Sequence, residues 1–166
     1  MDTALRSLPA RAALVKLQCS ATYGLRSNED RGRGVDGISA IAIFVGAGLG
    51  ALLRWVLALA LNPIFPALPL GTLAANALGS LLIGVAIGVF AQFEGLSLAL
   101  RLAITTGFLG GLTTFSAFSA ETTALLLRGQ YGWAGATIAA HVGTCLLATC
   151  GGIAVVRWFG GMTVAG

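Results

Sequence analysis

The sequence predicts an all-α integral membrane protein with four transmembrane helices, and three observations support this fold class. Hydrophobic residues make up 57% of the chain and charged residues only 10%, against about a quarter charged in ordinary soluble domains. Ten of the sixteen charged residues lie within the first 36 positions, which leaves too few elsewhere to cover a soluble fold. The rest of the chain divides into four apolar stretches, each long enough for a bilayer core that needs about 20 residues per helix.

The spans are separated by short polar or Pro-containing breaks. The four predicted spans cover residues 39–61, 71–92, 98–127 and 131–156. The first ends before Pro63, because proline marks a loop in this setting, and the second ends near Glu94. The fourth closes on Arg157-Trp158, a pair typical of an interfacial anchor.

The two ends of the chain are assigned to segments outside this membrane domain, which is predicted to cover residues 38–158. Residues 1–37 are basic and polar and lack the apolar core of a signal peptide. They are interpreted as a disordered tail, as a start codon assigned too early or as a helix on the membrane surface. Residues 159–166 are predicted to be a short C-terminal tail.

Three of the spans carry a stripe of small or polar residues at a spacing of four, which places each stripe on one helix face. The stripes are Gly46, Gly50 and Arg54; Thr72, Asn76, Ser80, Gly84 and Gly88; and Thr137, His141, Cys145 and Thr149. Small residues let helices pack closely in membranes, so the glycines are interpreted as packing positions. Arg54 and Asn76 are functional candidates, because a charge or an amide inside a span needs water, an anion or a protein partner.

The third span contains a predicted helix break. Three glycines, Gly107, Gly110 and Gly111, are followed by two threonines, and neither residue type favours a continuous helix. Interrupted membrane helices are tolerated where they are buried in protein or line a cavity, and their freed carbonyls can bind a cation. After the break, Phe115, Phe118 and Glu121 recur on one face, where a Phe stripe alone is more typical of packing than of function.

The motifs of three spans together resemble the Fluc (CrcB-like) family of fluoride channels over about residues 40–157. They are Gly50-Ala51-Leu52-Leu53-Arg54, then Gly71-Thr72 with Asn76 and Gly79-Ser80, and finally the twelve residues from Gly107 to Phe118 with Glu121. The resemblance implies a fluoride-specific channel that exports fluoride across the cell inner membrane and so relieves its toxicity.

The resemblance also implies the assembly and the site residues. It implies an antiparallel, dual-topology homodimer of four-helix subunits, or pairing with a homologous subunit, with two fluoride pores and a third helix broken mid-membrane. A structural sodium ion would be held by the backbone carbonyls of Gly110 and Thr113. Fluoride-pore residues would be Asn76, Thr114, Phe115, Ser116 and Phe118, with Arg54 in the vestibule and Glu121 near one pore end.

The physical chemistry of such a pore agrees with these residue types. Fluoride is small and strongly hydrated, so a pore must replace its water with other donors. Aromatic ring edges carry partial positive charge, and the Asn76 amide and the Ser116 hydroxyl can donate hydrogen bonds. A basic vestibule at Arg54 would concentrate anions at the mouth.

The chain departs from the family pattern at three positions. Ala117 stands where Thr is usual, which removes one hydroxyl from the expected polar track. His141 and Cys145 align with Tyr and Ser positions of that track. A histidine within a span is more often a hydrogen-bonded structural residue than a ligand. If His141 lined the pore, conduction would depend on pH, because imidazole changes charge near neutrality.

The charge distribution bears on topology. Arg101 and Arg157 lie on one side of the predicted bundle and Arg128 on the other, a small bias that suits insertion in both orientations. Residues 1–37 add six Lys and Arg to the first side and would favour one orientation. This conflict favours a wrongly assigned start.

Other functions agree less well with the sequence. A small four-helix multidrug-type exporter would centre on a glutamate in the first span, which holds Arg54 and no acidic residue. A non-transporting membrane assembly subunit would leave Arg54, Asn76 and the Phe pair unexplained. An enzyme agrees least with the sequence, which is predicted not to encode one, because no catalytic pair, triad or metal-ligand cluster is present. Scattered arginines at helix ends do not indicate nucleic-acid binding.

Overall fold

The computed structural model describes residues 37–65, 68–93 and 95–163 of the 166-residue chain. Except for Gly37, the predicted N-terminal tail lies outside the described residues. Within them the chain is helical, with four stretches long and apolar enough to cross a membrane. The prediction of a multi-pass membrane protein with four spans is therefore confirmed.

The first two spans are single helices. Helix α1 covers Gly37–Leu61 and helix α2 covers Leu70–Gln92, so both agree with the predicted spans to within two residues. Large apolar side chains such as Phe44 and Trp55 are exposed along α1. A helix whose exposed face is apolar is suited to contact lipid.

The start of α2 is held by a side chain from the turn that follows α1. A 3-10 turn over Asn62–Ile64 follows α1, with Pro63 in its first turn. The Asn62 Oδ1 atom accepts a hydrogen bond of 2.8 Å from the backbone N–H of Gly71. Because the first N–H groups of a helix have no partner in the helix, this contact satisfies one of them and fixes the start of α2.

The third span consists of several segments. They are α3 (Leu98–Leu102), a π-helix (Ala103–Leu109), α4 (Gly110–Leu112) and α5 (Phe115–Leu127). We call the continuous stretch 98–112 the first half-helix and α5 the second half-helix. Between them Thr113 and Thr114 are extended, with ψ angles of 151° and 111°. The π-helix was not predicted from the sequence pattern.

The last helix, α6, covers Tyr131–Thr163 and follows a turn at Gly129, whose φ is 72°. It continues past the predicted end of the span at residue 156 and past the predicted domain boundary at 158. Residues 159–163 are therefore part of this helix, whereas the sequence analysis assigned them to a C-terminal tail.

The spans pack most extensively in two pairs, with small residues at the contacts. Helix α2 packs along α6, and α1 packs against the first half-helix. A side chain at Gly50 would collide with the backbone oxygen of Phe108, and one at Gly84 would collide with that of Thr149. Both glycines belong to the stripes predicted to serve packing, and that interpretation is confirmed at these two positions.

Candidate functional site: a polar and aromatic groove at the third span

The extended pair in the third span is held by a side chain of α2. The backbone N–H of Thr114 donates to Oδ1 of Asn76 at 2.7 Å, and Nδ2 of Asn76 donates to the Thr114 backbone oxygen at 3.2 Å. Asn76 is 9% exposed and Thr114 is 7% exposed, so both hydrogen bonds are buried. Buried backbone groups need such partners, and the Asn76 amide replaces the partners that a continuous helix would supply.

The geometry at Thr114 changes the hydrogen bonding on both sides of it. In a continuous helix the N–H of Thr114 would donate to the oxygen of Gly110, four residues earlier. Here that N–H bonds to Asn76. The N–H of Ala117, the helical partner of the Thr113 oxygen, instead donates to Oγ1 of Thr114 at 3.1 Å. The carbonyl oxygens of Gly110 and Thr113 have thus lost their helical donors.

A groove with a volume of about 450 Å³ lies beside this interruption. Its walls come from α2, the two half-helices and α6. The lining residues that the sequence analysis had assigned to a site are Asn76, Gly110, Thr113, Thr114, Phe115, Phe118, His141 and Cys145. Arg54, Ser116 and Glu121 were assigned as well but do not line this groove. The fold therefore brings most of the predicted set together from four separate segments.

Three rings form a column along the groove. The Phe115 and Phe118 ring centroids are 5.4 Å apart, and the Phe118 and His141 centroids are 4.6 Å apart at an interplanar angle of 38°. Phe118 is 9% exposed, whereas Phe115 is 79% exposed in the single chain. The second half-helix thus presents one ring inside the protein and one at its surface.

His141 is buried, with 4% of its surface exposed. Its Nδ1 atom lies 3.0 Å from the backbone oxygen of Thr137, one turn earlier on α6. Because a carbonyl oxygen can only accept, Nδ1 carries the proton of this bond. The Nε2 atom is buried and has no hydrogen-bond partner. His141 is therefore anchored to its own helix, and its second ring nitrogen is buried without a partner in a side chain that lines the groove.

Glu121 forms a polar contact at the edge of the site. Its Oε1 atom accepts a hydrogen bond of 2.7 Å from the hydroxyl of Thr72 on α2, and its Oε2 atom is buried without a partner. The sequence analysis missed Thr72 as the partner of this carboxylate. Thr72 precedes Asn76 by four residues, so the shared helix face was the signal available for it.

The other two predicted residues lie outside the groove. Ser116 is exposed, and its Oγ atom is 3.1 Å from Oγ1 of Thr114, which itself lines the groove. Arg54 is half-buried on α1, in the stripe that begins at Gly46. Thr105 was not predicted as a site residue; it is a buried lining residue whose hydroxyl donates to the Arg101 backbone oxygen at 2.9 Å.

The fold defines a multi-pass membrane protein with a groove beside the interruption of its third span. A family model described as CrcB-like protein, Camphor Resistance (CrcB), matches residues 41–153. The chain belongs to this CrcB-like family, and the resemblance seen in the sequence motifs is confirmed.

Curated relatives agree with the family match. The chain is 54% identical over 120 residues to a protein of Pseudomonas paraeruginosa, covering 72% of this chain and 94% of the relative. It is 57% identical over 120 residues to one of Chromobacterium violaceum, covering 72% and 95%. Both relatives are named fluoride-specific ion channel FluC. The prediction that the chain is not an enzyme agrees with relatives that are named as ion channels.

Proposed function

We propose that this chain is a fluoride-specific channel that exports fluoride across the cell inner membrane and thereby relieves fluoride toxicity. The observation that carries the proposal is the groove, in which the Asn76 amide, the Thr114 hydroxyl and the Phe115 and Phe118 rings meet within a protein of the CrcB-like family. Relatives more than 50% identical to the chain are named for this activity.

The groove offers what a dehydrating anion requires. The Asn76 amide has two N–H groups, and only one of them is used by the Thr114 oxygen. The second can donate to an ion in the groove. The hydroxyls of Thr114 and Ser116 form a pair that can turn a proton towards an anion. The edges of the Phe115 and Phe118 rings add partial positive charge.

The residues near the ends of the path complete this proposal. Arg54 would supply positive charge at a vestibule and raise the local anion concentration. Glu121, whose carboxylate accepts from Thr72, follows Phe118 by three residues on the second half-helix and would mark one end of the pore. His141 and Cys145 continue the polar track along α6.

A structural sodium ion at the helix interruption fits the residues present. Unwound backbone carbonyls are the groups that coordinate Na⁺ in broken membrane helices. Gly110 and Thr113 have oxygens without helical donors, and Gly110 is exposed in the single chain. When bound, the ion would neutralise the partial negative charge that these two carbonyls concentrate at the break.

The same carbonyls support an antiparallel homodimer as the working unit. One chain offers two oxygens at this position, and a second copy related by a twofold axis would double the set. The groove is open along one side, and Phe115 projects from it with 79% of its surface exposed. A second copy would close the groove and bury this ring, with the third span interrupted mid-membrane in each subunit.

The charge distribution over the described residues suits insertion in both orientations. Arg101 and Arg157 oppose Arg128 across the bundle, so the basic bias is small. Dual topology is required for two identical chains to pair antiparallel. The proposal of a homodimer therefore needs no second gene product, although a homologous subunit would satisfy the same geometry.

The experiment that tests this function is anion efflux from liposomes that contain the purified protein. Fluoride and chloride release are measured with ion-selective electrodes after potassium ionophore is added to balance charge. Rapid fluoride release without chloride release is expected. Protein shown to be folded and dimeric that releases no fluoride would refute the proposal.

A further inference from the structure

Helix α6 brings an imidazole and a thiol to the same wall of the groove. His141 and Cys145 are four residues apart and both line the groove. This spacing puts their Cβ atoms about 5–6 Å apart on one helix face. It is also the spacing at which two histidines of a helix bind one zinc ion in the H-E-x-x-H motif, so it suits joint coordination of a metal ion.

The hydrogen bond of His141 prepares it as a ligand. Its Nδ1–H is held by the Thr137 oxygen at 3.0 Å, so in the neutral ring the lone pair lies on Nε2. Metal-binding histidines almost always donate their other N–H in this way, often to a backbone carbonyl. The Nε2 atom of His141 is buried without any partner in a side chain that is 96% buried (4% exposed). This buried, unpartnered nitrogen belongs to a residue one turn from Cys145 on α6 and is the observation that points to a ligand there.

The number and softness of the donors select the kind of ion. Within the part of the chain that the structure describes, no group of three or more His, Cys, Asp or Glu side chains is arranged to hold a metal. Zinc prefers four ligands, so a thiol with one imidazole is a poor zinc site. Thiolate and imidazole suit soft ions such as copper(I). Ag⁺ is also a soft ion and, like copper(I), prefers two ligands in a linear arrangement.

Distance and charge agree with this choice. Taking zinc–sulfur and zinc–nitrogen bonds of about 2.3 and 2.1 Å as a guide, the two donor atoms of a linear site would be about 4.4 Å apart. Side chains at Cβ atoms about 5–6 Å apart reach that separation. Binding releases the thiol proton of Cys145 to the solvent, so the resulting thiolate–Ag⁺ unit is neutral. A neutral unit avoids the large penalty for an unpaired charge in a membrane protein.

We propose that His141 and Cys145 form a binding site for a soft monovalent cation, and that a cation bound there obstructs the groove. The two residues face the same cavity as Asn76 and Phe118, so the bound ion would occupy the path rather than the lipid side. The effect on fluoride flux rests on the proposed channel function, whereas the binding itself does not.

The test uses Ag⁺ as the probe and a background in which Cys145 is the only thiol. The full-length Cys19→Ser/Cys150→Ser variant provides it, because Cys150 is exposed and does not line the groove. Binding is measured in detergent, in chloride-free buffer, as protection of Cys145 from alkylation by N-ethylmaleimide and read by intact mass. Flux is measured in liposomes as fluoride release with and without Ag⁺.

We expect Ag⁺ to protect Cys145 and to stop fluoride release, with recovery after dithiothreitol. Adding Cys145→Ser to the background should abolish the block. Adding His141→Gln should raise the half-protecting Ag⁺ concentration at least about tenfold, since even loss of an outer-shell partner of a metal ligand lowers affinity about 10–100-fold. Gel filtration of each variant confirms that it is folded.

Two results would overturn the site: alkylation of Cys145 that is unaffected by Ag⁺, or equal protection in the His141→Gln variant and its parent. Continued block of the Cys145→Ser variant would also overturn it, because the inhibition would then come from elsewhere. If no variant releases fluoride even without Ag⁺, the channel proposal fails, and the alkylation measurement still decides whether the site exists.

Discussion

Replacement of Asn76 by leucine tests whether one side chain both lines the groove and maintains the interruption of the third span. Leucine has nearly the shape of asparagine but can neither donate nor accept a hydrogen bond. The variant loses the bonds of 2.7 and 3.2 Å to the backbone of Thr114. The freed N–H of Thr114 would then return to the oxygen of Gly110, its helical partner, and remove one carbonyl from the proposed sodium site.

The size of the effect follows from these two bonds. Side-chain hydrogen bonds inside membrane proteins contribute about 0.6 kcal/mol each on average, so the pair contributes about 1.2 kcal/mol. If both Thr114 groups stayed buried without partners, the cost would rise to about 2–6 kcal/mol. The value of about 1.2 kcal/mol already corresponds to a change of about eightfold in an equilibrium constant. We therefore expect sodium to promote dimer formation at least about eightfold more weakly in the variant than in the parent. Fluoride flux should also be lower.

A matched control is available at Asn62, another asparagine whose side-chain oxygen accepts from a backbone N–H. Asn62→Leu removes the 2.8 Å bond to Gly71 at the start of α2, outside the groove. Loss of a helix cap costs about 0.5–2 kcal/mol, so thermal stability should fall while sodium dependence and fluoride flux stay at parental values. Fluoride efflux from liposomes and dimer fraction in Na⁺ and in N-methylglucamine buffer are measured for both variants. An Asn76→Leu protein that dimerises with sodium and conducts like the parent would refute the reasoning.

Three other substitutions test separate parts of the structure. Phe118→Leu removes ring contacts to Phe115 and His141, each of which contributes about 0.5–1.5 kcal/mol. Fluoride flux should therefore fall about tenfold. Phe44→Leu, on the exposed face of α1, should leave fluoride flux unchanged. Gly50→Ala drives a Cβ into the backbone oxygen of Phe108 and should lower the free energy of unfolding by about 1–3 kcal/mol. Gly48→Ala, on the same helix, meets nothing within 4 Å and should not lower it. Equal melting temperatures for these two variants would contradict the assignment of Gly50 to packing. Thr72→Val leaves Glu121 without its 2.7 Å donor and should destabilise the protein by about 1–3 kcal/mol. Thr123→Val, at an exposed position, is the control. A loss of stability just as large in this control would show that the Glu121 contact is not the cause.

The span boundaries were predictable because their causes are local. Pro63 stops α1, and the long apolar run after it defines α2 without any knowledge of the fold. The end of α6 was placed too early because Arg157-Trp158 resembles an interfacial anchor. A helix can continue past such an anchor into water, and this one continues to Thr163.

The contacts of the site were less predictable because they join distant parts of the chain. Asn76 and Thr114 are 38 residues apart, and the sequence indicated only that an amide within a span needs a partner. The sequence analysis assigned the Asn76 amide to fluoride, and the structure gives one of its N–H groups and its oxygen to Thr114. The π-helix was not predictable either, because the sequence indicated only a break; within the π-helix Gly107 packs against the backbone of α1 at Ile43, a contact between distant residues.

The double use of Asn76 connects the two halves of the proposed mechanism. Its Oδ1 atom and one N–H hold Thr114 in the extended conformation, which leaves the Gly110 oxygen without a helical donor. Its remaining N–H is the donor offered to an anion in the groove. An ion at the break and an ion in the groove would therefore act on the same amide, and each would favour the same position of it. Because such coupling is reciprocal, sodium at the break would do more than hold two subunits together: it would also keep the fluoride path in the geometry that binds its ion.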